Sequence, residues 1–230
     1  MPLAARAFLA IWHDFDTAQE AEWHRWHTVE HMPERVNVPG FLAGRRYMSD
    51  TVERHRCFTM YEGVDISVFN SPAYLERLNN PTPWTRQVST AFRDFMRGAC
   101  KVVATAGGDA NCPQIAGSVM TVRLTGVMTP GVEPRAVALA EALAKRPTIV
   151  GVHVAVCERA VTNVETTERK ARSGTAESPL DGVVVIESYD RKALAAAEGD
   201  IRAAIAAAGL GMSPEETGIY DLVLYVREPA

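Results

Sequence analysis

Twice along its 230 residues the chain changes hydrophobic period in the same order, and this repetition narrows the folds open to it more than any other feature. In the first pass ARAFLAIWH, residues 5 to 13, reads as a mostly buried strand. Helical periodicity follows from Thr17 to Asn37, with Asp14, Asp16 and Thr17 supplying turn and N-cap chemistry. Strands FLAGRRYMSD and RHRCFTMYEG come next, joined by a polar turn around Asp50 to Glu53. Helical segments over 71–78 and 84–98, separated by NNPTP, and a strand over 100–105 complete a β-α-β-β-α-β unit. After a stretch of small residues the order recurs. GSVMTVRLTG is a strand, Glu133 to Lys145 a helix and Ile149 to Val161 a long strand; Gly182 to Tyr189 is a strand, Arg191 to Ala208 a helix and Gly218 to Arg227 a strand. The expected organisation is an N-terminal unit over 1–106 carrying the site, a linker over 107–117 and a C-terminal unit over 118–230.

Each unit would form a four-stranded antiparallel sheet with both helices on one face. The opposite face stays apolar and needs cover. Two such sheets packed face to face cover one another, so the expected class is α+β, with a barrel closed inside one chain and helices outside. Self-association beyond that barrel stays open.

Composition sets the partners. With 47% hydrophobic and 23% charged residues the chain is an ordinary globular one. A net charge of −4 without a basic cluster argues against nucleic acid, which needs a positive stripe. No apolar run approaches the roughly eighteen residues of a membrane span, so no membrane partner is expected. Cys57, Cys100, Cys112 and Cys157 lack metal or redox spacing, which fits reduced thiols and a cytoplasmic location. A small-molecule partner is the remaining expectation.

Chemistry concentrates in EWHRWHTVEHMPERVNVPGF, residues 22–41, which holds three of the six histidines and two of the four tryptophans. At about 100° per residue, His24, His27 and His31 share one stripe, flanking an apolar arc that includes Val29, Met32 and Val36. Pro33 is expected to bend this helix, and Val38-Pro39-Gly40 to end it.

The strand order together with W-H-x-x-E-H-x-x-E followed by Pro39-Gly40-Phe41 resembles the dimeric α+β barrel superfamily, whose ferredoxin-like domains pair sheet to sheet. Arg46-Tyr47, Ser71-Pro72-Ala73-Tyr74 and Pro81-Thr82-Pro83-Trp84 extend the likeness, which in the second half rests on the order of elements alone. The resemblance implies two ferredoxin-like β-α-β-β-α-β units as a tandem duplication, with EthD-like, isomerase, cyclase and monooxygenase relatives. It also implies a pocket between the sheet and its own helices, and haem-binding branches are part of the same superfamily.

Four readings of the histidine helix follow. The leading one is cofactor-free acid-base chemistry of isomerase, cyclase, dehydratase or lyase type on a small aromatic or polyketide-like metabolite. Here His31 or His27 is the general base and Glu30 orients the ring or balances its charge. Arg46 or Tyr47 stabilises an oxyanion, and Trp23, Trp26 and Trp84 wall an apolar pocket. The second is a binding or structural barrel, with His31 satisfying carbonyls freed at Pro33. The third is haem ligation by a helix histidine. The fourth, zinc at His27-x-x-Glu30-His31, is set aside because the helix breaks too soon and no third ligand motif follows; no metal is expected.

Other residues take plainer readings. His24 is solvated, Cys57 an inert buried thiol and His153 a satisfied core residue. Of Arg45 and Arg46, on opposite faces of a strand, Arg46 is favoured for the pocket. In the polar segment 162–181, Glu168, Arg169 and Arg172 could clamp an anion, with a solvated charge run the favoured reading.

Overall fold

The computed structural model describes residues 5–108, 114–172 and 180–228. Part of the expected linker (109–113, with Cys112) and part of the polar segment (173–179) lie outside the described residues. The first half contains β1 (Ala7–Phe15), α1 (Glu20–Trp26), a π-helical turn (His27–His31), α2 (Met32–Val36), β2 (Phe41–Met48) and β3 (Cys57–Gly63). It continues with α3 (Pro72–Asn79), α4 (Pro83–Val88) and β4 (Phe92–Ala106). The second half contains β5 (Ser118–Gly126), α5 (Glu133–Ala144), β6 (Ile149–Cys157), α6 (Arg159–Thr162) and α7 (Thr167–Ala171). Its remaining elements are β7 (Gly182–Ser188), α8 (Arg191–Ala196), α9 (Glu198–Ala207) and β8 (Met212–Arg227).

All eight strands close into one antiparallel barrel in the order β1-β3-β2-β8-β5-β7-β6-β4. Within each half the order is the same: fourth strand, first, third, second. Closure comes from two long strands that each pair with both halves. β4 runs beside β1 over Phe92–Lys101 and then beside β6 over Cys100–Ala106. β8 runs beside β5 over Met212–Asp221 and then beside β2 over Asp221–Arg227. Phe8, Trp12, Phe58 and Tyr47 fill the barrel together with Val119, Val183, Val185 and Tyr220 of the second half. Outside it, Met32, Val36, Tyr74 and Leu78 cover the first half of the sheet, and Leu139, Leu143, Ile201 and Ile205 cover the second.

Three element expectations need correction. Residues 92–98 are strand, although Phe92, Phe95, Met96 and Ala99 have helical spacing. A β-bulge explains the pattern: His13 lies between register pairs Trp12↔Met96 and Asp14↔Arg93, opposite two residues of β4. Asp94, at φ 47°, takes the left-handed conformation in the bulge. The extra residue returns Phe95 to the same face as Phe92. The second correction is β6, which stops at Cys157 and is followed by α6 rather than continuing to Val161. Last, the helix expected over 191–208 is interrupted at Ala197.

Candidate functional site

Between the outer face of the first half's sheet and its helices lies a cavity floored by Ile11, His13, Thr59, Tyr61 and Arg97. Strand alternation put them there: Thr59, Ile11 and Arg97 lie in one row across β3, β1 and β4. The helix contributes His27, His31 and Arg35, and α3 contributes Tyr74 and Leu78. β4 adds Phe92 and Phe95, and the rest of the wall comes from the second half, whose Thr166, Glu168 and Arg172 reach across from the β6–β7 connection. The void between these side chains is about 30 Å³.

The π-turn sets the histidines. Met32 N–H bonds to the His27 carbonyl, five residues back. Pro33, one residue on, has no N–H, and its ring would meet the carbonyl of Val29 in a regular α-helix; the wider turn relieves that contact. It also stacks residues five apart. Trp26 and His31, about 140° apart on an α-helix, have ring centroids 4.3 Å apart. Trp23 stacks on His27 at 4.6 Å, and the two histidine rings are 5.4 Å apart.

His13, His27 and His31 are all buried. Burial pushes His13 down to about 3. It also holds His27 and His31 well below the usual histidine range, helped at His27 by His31 and Arg46 and at His31 by Arg35 and Arg172. All three are therefore neutral at pH 7, and their partners assign the tautomers. Arg46 Nη1 lies 3.3 Å from His27 Nδ1; a guanidinium only donates, so Nδ1 accepts and the ring proton sits on Nε2. His13 Nδ1 lies 3.1 Å from the Asp14 carbonyl oxygen, which only accepts, so Nδ1 carries the proton and Nε2 the lone pair. His31 Nδ1 and the Tyr61 hydroxyl are buried without a hydrogen-bond partner among the described residues.

Not all residues singled out in the sequence meet at this cavity. His27 and His31 line it. Trp23 and Trp26 stand behind them as stacking partners, Trp26 donating Nε1–H to Thr85 Oγ1. Arg46 also backs His27, donating to Thr28 Oγ1 as well and lying 5.5 Å from the Trp23 ring. Glu30 is directed elsewhere, accepting from the hydroxyls of Thr82 (2.6 Å) and Thr85 (3.1 Å) and so tying the helix to α4. Trp84 donates to Glu22 Oε1 at 2.7 Å, outside the cavity. Tyr47 faces the barrel interior against Phe58, because its neighbour Arg46 takes the outer face.

The charged run 168–172 is solvated only in part, at Lys170 and Arg169. Glu168 and Arg172 are buried, Glu168 pairs with Arg35 and with Arg172 Nη1, and the Arg172 guanidinium lies 4.2 Å from the Phe95 ring. His13, Tyr61 and Arg97 escaped sequence reading; the only signal for them was alternation on β1, β3 and β4. The corresponding space of the second half is packed with aliphatic side chains. His153 is fully buried, between Thr105 Oγ1 (2.8 Å) and Glu187 Oε1 (3.1 Å). Burial raises the Cys57 thiol to about 12, and His24 is partly exposed beside Glu20. Among the described residues no three His, Cys, Asp or Glu side chains are placed to ligate one ion, and no helix is long and apolar enough to cross a membrane.

A closed antiparallel barrel with helices outside defines the class: an α+β barrel of the dimeric type, made here from one chain. No protein-family profile and no curated sequence matches the chain. Solved structures do. An anthrone oxidase-like protein matches at TM-score 0.63 and 13% identity over 96% of this chain and 92% of its own. A candidate monooxygenase from Fusobacterium nucleatum matches at 0.57 and 8%, covering 97% and 95%. The chlorite dismutase of Candidatus Nitrospira defluvii matches at 0.52 and 8%, covering 96% and 92%. Likenesses at such identity establish the fold.

Proposed function

We propose that the chain is an enzyme that moves protons on a small, enolisable organic molecule without a cofactor. The observation that supports this reading most is the group of three buried, neutral imidazoles in one cavity, two of them with assigned tautomers. His31 is the general base, since its Nδ1 lines the cavity and has no hydrogen-bond partner among the described residues. His27 is not the base, because its lone pair faces Arg46 and its Nε2–H can only donate. The base takes a proton from carbon, and the electron pair moves onto the adjacent carbonyl oxygen, stabilised by the His27 N–H and the cavity's guanidinium groups. Return of the same proton to another carbon completes an isomerisation with atoms and charge balanced. Anthrone, the ketone in one structural neighbour's name, is a carbon acid of this kind. We read the strand order shared by the two halves as the product of duplication, with the histidine helix kept in one half and the other half supplying part of the cavity wall.

Haem, implied by the chlorite dismutase-like branch, does not fit these residues. A porphyrin would require a far larger displacement of the wall around the void of about 30 Å³ than a one- or two-ring substrate, His27 Nδ1 already accepts from Arg46, and the His27 and His31 rings lie against Trp23 and Trp26. The test follows deuterium uptake from D₂O into anthrone and into a keto carboxylate, 4-oxopentanoate, by NMR. His31→Gln should lower enzyme-dependent exchange at least a hundredfold and His27→Gln about tenfold or more, consistent with general-base and oxyanion contributions. No exchange above buffer with the unaltered protein would favour a binding barrel instead.

A further inference from the structure

Among the described residues, one of the cavity's guanidinium groups has no carboxylate beside it. Arg35, Arg97 and Arg172 line it, and Glu168 is the one carboxylate lining it among the described residues. Glu168 is engaged with Arg35 and Arg172, and Arg35 also lies 3.5 Å from Glu34 Oε2. Arg97 is different. Only 7% exposed, it makes one long hydrogen bond among the described residues, 3.4 Å to the Thr162 carbonyl, and no described carboxylate lies within ion-pair distance. A guanidinium stays charged at any working pH, and a buried charge without a counter-ion is costly. The histidines, being neutral, add nothing to offset it.

Resting on the acid-base reading above, we propose that the substrate is a carboxylate, whose anionic group Arg97 holds at the floor of the cavity, with its unsaturated or aromatic remainder against Phe92, Phe95 and Leu78. The planar fork of Arg97 suits two parallel bonds to a carboxylate. The Thr59 and Tyr61 hydroxyls, also on the floor, are further donors within the same lining. The void of about 30 Å³ is on the scale of a small polar group, so the rest of the molecule must displace part of the wall formed by Thr166, Glu168 and Arg172. An anion at Arg97 also counters the positive field that Arg35 and Arg172 impose on His31, and so strengthens it as a base when substrate is present.

The test titrates the full chain with benzoate and 2-naphthoate, and with benzamide and 2-naphthamide as neutral matches, by calorimetry and by histidine-ring NMR. The carboxylates should bind at least tenfold more tightly than the amides, and His31 should titrate at higher pH with carboxylate bound. Arg97→Gln should remove at least tenfold of the carboxylate affinity and leave the amides unchanged, and Arg97→Lys should keep part of it. Equal binding of acid and amide, or full carboxylate affinity in Arg97→Gln, overturns the proposal. Should Arg97→Gln fail to fold, the acid-amide comparison on the unaltered protein decides alone. His31→Gln separates the two readings: carboxylate affinity kept while deuterium exchange is lost supports both. Discrimination between acid and amide with no exchange in any variant keeps the anion site and removes the acid-base reading.

Discussion

A buried neutral imidazole links stability to pH, and this chain buries three in one place. Unfolded, each titrates near 6.5; folded, His13 lies at about 3 and His27 and His31 well below 6.5. Below pH 6.5 the unfolded chain therefore binds protons that the fold refuses, so stability is complete above that value and falls as pH drops towards the folded values. For His13 the loss is about 1.4 kcal/mol per pH unit, or roughly 2 kcal/mol by pH 5, and His27 and His31 add losses of the same sign. Urea unfolding at pH 7.5 and 5 should show a large drop, and His13→Asn should make it smaller by about one histidine's share. An unchanged drop would mean that His13 is protonated in the fold. At this scale the sequence is readable where periodicity is local. His27 and His31 announce themselves on one stripe, whereas His13, Tyr61 and Arg97 reach the cavity only because three strands lie side by side. The sequence offered a cue against Tyr47, since adjacent strand residues take opposite faces and Arg46 was already placed outward.

Among the elements, the π-turn is where geometry and function meet. Its extra residue lets Pro33 follow without a steric clash and sets Trp26 over His31. Deleting Val29, which is exposed, would turn the segment into a regular α-helix while the anchors Trp23, Met32 and Val36 keep their faces. Pro33 would then meet the carbonyl four residues before it, at a cost of about 3 kcal/mol. The deletion should therefore lower stability by that amount, and adding Pro33→Ala should restore most of it. Deuterium exchange should be absent in both variants, because His27 and His31 become three residues apart rather than four. Recovery of exchange with Pro33→Ala would show that the wide turn only accommodates the proline. A bend near Pro33 was legible, but not its form, because proline can be accommodated by a kink, a break or a wide turn alike. The β-bulge at Asp94 hid β4 for a related reason: one inserted residue makes a strand imitate helical spacing.

On the scale of the molecule, the repeated element order made two four-stranded units and a barrel legible. The route of closure was not, because it depends on β4 and β8 extending into the opposite half. That closure also carries segment 166–172 of the second half over the first half's cavity, so the candidate site is shared between the halves. Inside the barrel a charged cluster bridges them as well. Arg45 Nη1 lies 3.0 Å from both oxygens of Glu187, and Nη2 lies 2.6 Å from Glu62 Oε1. Glu187 also accepts from the Ala116 amide and contacts His153 Nε2. Arg45→Met would leave two buried carboxylates facing each other without their cation, and should cost about 3–5 kcal/mol. Burial already raises Glu62 above the usual carboxylate range, so it would protonate first, and the deficit should shrink as the pH approaches 5. The triple variant Arg45→Met, Glu62→Met, Glu187→Gln keeps an acceptor for Ala116 and His153 while removing all three charges. It should return to within about 1–2 kcal/mol of the parent, since a buried ion cluster is often no more stabilising than a well-packed neutral one. Urea midpoints of the four proteins, parent, Arg45→Met, Glu62→Met and triple, decide the matter. A loss below about 1 kcal/mol for Arg45→Met would mean that packing alone, through Phe8, Trp12, Val183 and Tyr220, holds the two halves in one barrel.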